Sequence, residues 1–221
     1  MMRRVIFLGV VGGLGFVALV SLGLWQLQRL AWKEGVLATI ETRIAAEPVS
    51  LPEAPDPEAD RYRAVRFEGE ILPEELHVFW VTEAEGAGYR VISPFVTDEG
   101  RRILVDRGYI RATDKENTRP TGRAELTGNL LWPDEGDWTT PPPEVDTNIL
   151  YARDIAYMSE RLNTEPLLVV VRTGAEKPTP LPVSTKGIPN DHLQYVITWF
   201  SLALIWAAMT AAFLLRTRAK T

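Results

Sequence analysis

The chain of 221 residues holds two histidines, and one of them opens the stretch NDHLQYVITW, Asn190 to Trp199. A neutral imidazole is a metal ligand, so its setting matters. On a helix, Tyr195 and Val196 lie one turn beyond His192 and Trp199 two turns, roughly 10 Å further at ~1.5 Å per residue. One face then offers a nitrogen above an apolar aromatic wall, which suits a flat, apolar, metal-bearing ring. Asn190 or Asp191 is a good N-cap, which puts His192 in the first helical turn. The positive end of the helix dipole favours the neutral ring and the adjacent Asp191 favours the charged one. The residues alone leave that balance open.

A second group faces this one across the length of the chain. Trp25, Arg29 and Trp32 stand where an N-terminal apolar run gives way to charge, and Arg29 and Lys33 could meet carboxylates such as haem propionates. The ordinary reading is that tryptophan and tyrosine belt a membrane interface and that a histidine among them is simply solvated. On the residues alone that reading carries more weight. The other histidine, His77, lies in the alternating run Leu76 to Thr82 and reads as a surface or hydrogen-bonded strand residue. Enzyme signatures are missing: no Gly-x-Ser-x-Gly, no His-Glu-x-x-His, no phosphate loop. The acid pairs Glu74-Glu75 and Glu83 with Glu85 suit a solvated face, so no reaction is assigned. With no cysteine, disulfides, thiolate metal sites and a cysteine nucleophile are excluded.

The elements that must position these groups are legible from hydropathy. No charged residue occurs from Val5 to Leu24 or from Leu193 to Leu215. Each run can cross a hydrocarbon layer of roughly 30 Å. The first run exceeds a signal peptide's apolar region and lacks a small-x-small cleavage site, so it is expected to remain as an anchor. Basic residues at both ends (Arg3, Arg4, Arg216, Arg218, Lys220) predict cytoplasmic termini, although Arg29 and Lys33 pull mildly the other way. The expected organisation is a cytoplasmic N-terminus at 1–4, a first span at 5–26 continuing as an amphipathic helix to about Ala46, and an extracytoplasmic α+β domain at 47–189. A second span at 190–215 and a cytoplasmic tail at 216–221 complete it. The chain carries a net charge of −5, hence −10 once those five basic residues are set aside. So acidic a domain disfavours nucleic acid as a partner.

Within the middle region, Tyr62–Ile71, Leu76–Thr82, Gly88–Val96, Arg102–Ile110 and Arg123–Leu131 read as strands, with Asp98-Glu99-Gly100 as a hairpin turn. They predict an antiparallel sheet. Asp134–Asp146 is an acidic, proline-rich surface loop. From Asn148 the spacing of Ile149, Ile155, Met158 and Leu162 predicts one amphipathic helix, followed by a buried strand at Leu167–Val171. Lys177–Pro189 is a stiff, proline-rich linker. In the spans, Gly9 and Gly13, and Ala203, Ala207 and Ala211, form small-residue strips that predict close helix approach. Arg107 and Tyr109 could contact a partner or simply build the sheet; the apolar run beside them favours the sheet.

Four segments, GLWQLQRLAWK (23–33), GYRVISPF (88–95), GRRILVDRGYI (100–110) and NDHLQYVITWFSLA (190–203), together resemble the surfeit-locus family of cytochrome c oxidase assembly proteins. They run through the whole chain in that family's order. The resemblance implies a two-span protein of the bacterial inner membrane with a periplasmic central domain. It further implies a role, not enzymatic, in which haem a is bound as cargo and passed to the catalytic subunit of cytochrome c oxidase, with haem a synthase as the donor. It gives His192 as the haem-iron axial ligand and Trp199 as part of the same block. Tyr195, Trp25 and Arg29 join the cofactor-binding set on the helical argument alone, lining a cleft walled by both spans. The alternative is a scaffold that stabilises an oxidase intermediate without touching haem. A membrane enzyme acting on a lipid or quinone is disfavoured by the missing acid/base groups.

Overall fold

The structure is a computed structural model that describes residues 2–173 and 178–219. Met1, 174–177 and 220–221 lie outside the described residues, and with them the first residue of the expected linker and Lys220 of the basic tail. The chain divides into two units. Met1–Thr39 with Thr185–Thr221 form one, and Ile40–Ser184 the other.

The helical unit is built from α1 (Met2–Ala45) and α3 (His192–Ala219). Both are long and apolar enough to cross a membrane, and their apolar windows are only 6% and 11% buried. A core helix of a water-soluble domain would be mostly covered, so this exposure is what a lipid-facing helix requires. The expected run-on of the first span holds, since α1 continues unbroken past its apolar stretch until Pro48 stops it. Its last turn belongs to the other unit, where Asn129 Nδ2 and Arg172 Nη2 donate to the Ile44 carbonyl at 3.1 and 2.6 Å. These bonds satisfy an acceptor that a helix C-terminus leaves unpaired.

Among the described residues the second unit is an eight-stranded sheet: β1 (Val49–Ser50), β2 (Ala64–Ile71), β3 (Leu76–Thr82), β4 (Gly86–Thr97), β5 (Arg102–Arg111), β6 (Gly122–Leu131), β7 (Ile149–Leu150) and β8 (Leu168–Thr173). Its order is β1-β2-β6-β8-β5-β4-β3-β7, and β4 also pairs with β2. Five strands, β2, β6, β8, β5 and β4, therefore close on themselves. Closure occurs where Gly69 to Ile71 meet Phe95 to Thr97. A side chain at Gly69 would lie 2.0 Å from the Val96 carbonyl, so only glycine allows this corner.

The antiparallel expectation holds for the hairpin-linked strands, while β1–β2, β3–β7 and β5–β8 run parallel. The last of these follows from a crossover: after β6 the chain leaves the closed strands, adds β7 beside β3, forms the helix α2 (Ile155–Leu162), and returns as β8 between β5 and β6. Val65, Phe67, Phe95, Ile103, Val105, Leu130 and Val169 fill the barrel interior. Ile92, Leu104 and Leu168 face outward beneath Met158 and Leu162 of α2. Strands covered on both faces explain why β5 and β8 read as continuous apolar runs rather than alternating ones. The helix predicted from Asn148 is shorter than expected. Ile149 and Leu150 pair with His77 and Val78 instead, and α2 starts after Asp154, whose carboxylate caps Tyr157 N at 3.1 Å.

Candidate functional site

In the helical unit α1 and α3 are antiparallel and in contact along one seam. Gly23 lies against Phe200, Gly15 against Trp206 and Gly12 against Thr210; a Cβ at these glycines would come within 2.9, 2.6 and 2.2 Å of those side chains. Trp206 Nε1 donates to the Gly12 carbonyl at 2.9 Å. Val196 and Ala203 of α3 are buried in the same seam. The strip predicted on α1 is displaced. Gly9 and Gly13 have nothing within 4 Å, so the contact runs through Gly12, Gly15 and Gly23. On α3, Ala203 is buried, Ala207 half-buried and Ala211 exposed.

His192 stands at the end of this seam, half-buried, in the first turn of α3 as the capping argument requires. The first helical bond, Tyr195 N to the Asp191 carbonyl at 3.3 Å, makes Asp191 the N-cap residue. His192 Nδ1 lies 2.8 Å from Oε1 of Gln26, a side chain only 8% exposed. A carboxamide oxygen can only accept, so Nδ1 carries the proton and Nε2 keeps its lone pair. That tautomer is the one a metal ligand needs.

The other residues named for the site are placed unequally. Trp199 is half-buried two turns along α3, and its indole Nε1 is buried without a hydrogen-bond partner, as is Asn190 Oδ1 at the helix entrance. Tyr195 and Trp25 are each 52% exposed and make neither a hydrogen bond nor a ring contact with His192. Arg29 is exposed and its guanidinium lies over the Trp32 ring at 4.4 Å, so the cation is held on an aromatic face one turn beyond Gln26. At the level of His192 the two helices touch through Gln26. That contact occupies Nδ1 and leaves Nε2 as the ring nitrogen able to meet a ligand.

The remaining sequence candidates belong to the sheet unit and are structural. His77 is 5% exposed and its Nε2 lies 3.0 Å from Glu75 and 3.1 Å from Arg119. Among the described residues no cluster of three or more His, Cys, Asp or Glu could hold a metal ion. Arg107 and Tyr109 are buried, which removes them from any partner surface. Burial pulls the Arg107 guanidinium below its usual value, against the opposing charge of Glu75. Glu85 pairs with Arg111 at 2.7 Å. The loop 134–146 lies on the surface as expected, and one of its side chains is tied to the sheet: Glu135 binds Arg153, which with Arg90 holds the fully buried Asp106 at 3.2 and 2.6 Å.

The SURF1 family pattern matches residues 14–204. The chain belongs to the SURF1 family. It is similar to surfeit locus protein 1 of Homo sapiens, 32% identical over 209 residues that cover 83% of this chain and 69% of that protein. The Rattus norvegicus protein of the same name is 31% identical over 207 residues, 82% of this chain and 67% of its own length. A SURF1-like protein of Rickettsia felis is 28% identical over 205 residues, covering 86% and 88%. The SURF1-family match spans the whole sheet unit and both members of the Gln26–His192 pair. Gln26 is the residue that sequence reasoning overlooked. Its signal was present, since a carboxamide inside the apolar helical exit between Trp25 and Leu27 needs a polar partner, but that partner lies 166 positions away and nothing local names it.

Proposed function

We propose that this chain is a membrane-bound cytochrome c oxidase assembly factor that carries haem a on His192 and passes it to the catalytic subunit of the oxidase, receiving it from haem a synthase. The observation that carries this reading is the 2.8 Å contact between His192 Nδ1 and Gln26 Oε1. Histidines that bind metal commonly donate their other ring N–H to a fixed acceptor, which sets the tautomer and raises ligand basicity. Two further features support it. Trp199 Nε1 and Asn190 Oδ1 are buried polar atoms with no partner in the protein, a state that costs about 1–3 kcal/mol each unless another molecule meets them. Arg29, held over Trp32, supplies a cation at the level where a porphyrin's carboxylates would leave the bilayer.

Haem a is poorly soluble, so its movement between membrane proteins is favoured within the bilayer. When bound, its iron supplies the acceptor for the Nε2 lone pair. A single histidine ligand holds iron less firmly than two would, and permits release. The role is that of a carrier, not an enzyme. The basic residues at both ends support cytoplasmic termini and a periplasmic sheet unit in a bacterial inner membrane.

The test is the absorption spectrum of protein purified from cells that make haem a. Wild type should copurify with haem, and His192→Ala should lose most of the signal. Full retention by the variant would remove His192 as ligand. Haem absent from both, with oxidase assembly intact, would favour the scaffold reading.

A further inference from the structure

Trp138, on the connection between β6 and β7, is 94% exposed. Single apolar side chains on a surface are ordinary, but an indole presented almost wholly to water is the kind of anchor that dominates protein interfaces. It is also firmly presented. The Asp137 carboxylate accepts from Thr139 N at 2.8 Å, Thr139 Oγ1 at 2.7 Å and Thr140 Oγ1 at 3.2 Å. Pro141, Pro142 and Pro143 follow directly. One foot of the loop is tied down by Glu135 on Arg153, and the other by Glu144, which accepts from Thr147 and Tyr151 and bridges to Ile149. A tip held this way loses little conformational freedom when it is gripped.

The loop has a sign. Residues 134–146 carry five acids and no base, and Asp134 and Asp146 are exposed and make no ion pair among the described residues. Tyr151, which closes the foot, also meets Phe79 at 6.1 Å, and Phe79 meets Tyr89 at 6.3 Å. Phe79 is 39% and Val81 61% exposed on β3. Aromatic surface therefore continues from the loop's foot onto the sheet. An anionic lipid surface would repel this loop, and so would a second copy of it.

We propose that the Trp138 loop is a docking surface for another protein, one that offers an apolar pocket for the indole inside a rim of lysine and arginine. The loop belongs to the sheet unit and His192 to the helical one, and the proposal stands whether or not haem is carried on His192.

The experiment places a photoreactive benzophenone at the tip, Trp138→p-benzoylphenylalanine, in the full-length protein in the membranes of cells that assemble an oxidase. Irradiation should yield an adduct with a protein other than this chain, joined within a segment rich in lysine and arginine. Raising ionic strength from ~50 to ~500 mM should lower the yield several-fold, because exposed charges are screened over a few ångströms at high salt. Asp134→Asn with Asp146→Asn should lower it similarly at low salt, without changing the unfolding transition. Adducts only with lipid or with a second copy, a yield indifferent to salt, or no adduct at all would each overturn the proposal.

Discussion

A neutral imidazole has one lone pair, and whatever its other nitrogen donates to decides where that pair points. Here the acceptor is Gln26, buried on α1, so the assignment of Nε2 as the free nitrogen rests on a single carboxamide. Gln26→Leu removes the acceptor while keeping comparable bulk. It should weaken haem retention by roughly tenfold or more, the usual loss when the partner of a ligating histidine is deleted. Gln26→Glu still accepts from Nδ1 and should retain the cargo, with an iron reduction potential below that of wild type because the imidazole becomes more electron-rich. A purely structural glutamine would let both variants keep the wild-type spectrum and potential. Comparing haem content and potential across the three proteins therefore separates positioning from packing.

A helix presents a seam only in the phase its partner dictates. Glycines recur along the uncharged stretch of α1 at 9, 12, 13, 15 and 23, and four-residue spacing selects Gly9 and Gly13, whereas the buried face contains Gly12, Gly15 and Gly23. Leucine at Gly15 would drive a side chain into Trp206 and at Gly12 into Thr210, at a cost of about 1–3 kcal/mol for such overpacking. Gly12→Leu and Gly15→Leu should therefore reduce crosslinking between the two helices in membranes several-fold, while Gly9→Leu and Gly13→Leu leave it unchanged. Equal effects of all four would discard the seam. The phase was hidden because both faces of α1 are apolar: lipid on one side and α3 on the other ask for the same residue types. Strands were more legible. Leu76–Thr82 agrees with its expected limits, and Arg102–Ile110 and Arg123–Leu131 are each one residue short of the observed strands, because β-branched runs bounded by turns mark themselves. Barrel closure and the parallel seat of β8 were not legible, since each joins segments distant in sequence through backbone bonds that no side chain advertises.

At the scale of the sheet unit, one buried ionic group ties separate parts of the chain together. Asp106 of β5 is fully buried between Arg90 of β4 and Arg153, both guanidiniums lie over the Trp80 ring at 5.1 and 5.3 Å, and Arg90 also donates to the Leu181 carbonyl at 2.8 Å. Through Glu135 on Arg153 the same group anchors the foot of the acidic loop. The residues after 178 are held as well, with Thr179 and Tyr109 exchanging backbone bonds at 2.7 and 2.9 Å. Loop, barrel and linker thus share one electrostatic centre, and its loss should be felt as a whole. Asp106→Asn leaves two buried guanidiniums with less counter-charge and should cost about 3–5 kcal/mol, read from denaturant unfolding of the full chain in detergent. Acid should attack the same centre through Glu135. Burial alone would raise that carboxyl, but the hydrogen bonds and charge of Arg153 outweigh it and hold it below the usual carboxylate value. A depressed folded value means the stabilisation is complete above the unfolded carboxylate range, near pH ~4.3, and is lost as pH falls through the lower folded value. The unfolding midpoint should therefore drop on acidification below that range, and Glu135→Gln, already lacking the charge, should be less stable at neutral pH and show a smaller further drop. An unchanged acid response in Glu135→Gln would show that the loop's foot is not held by this charge.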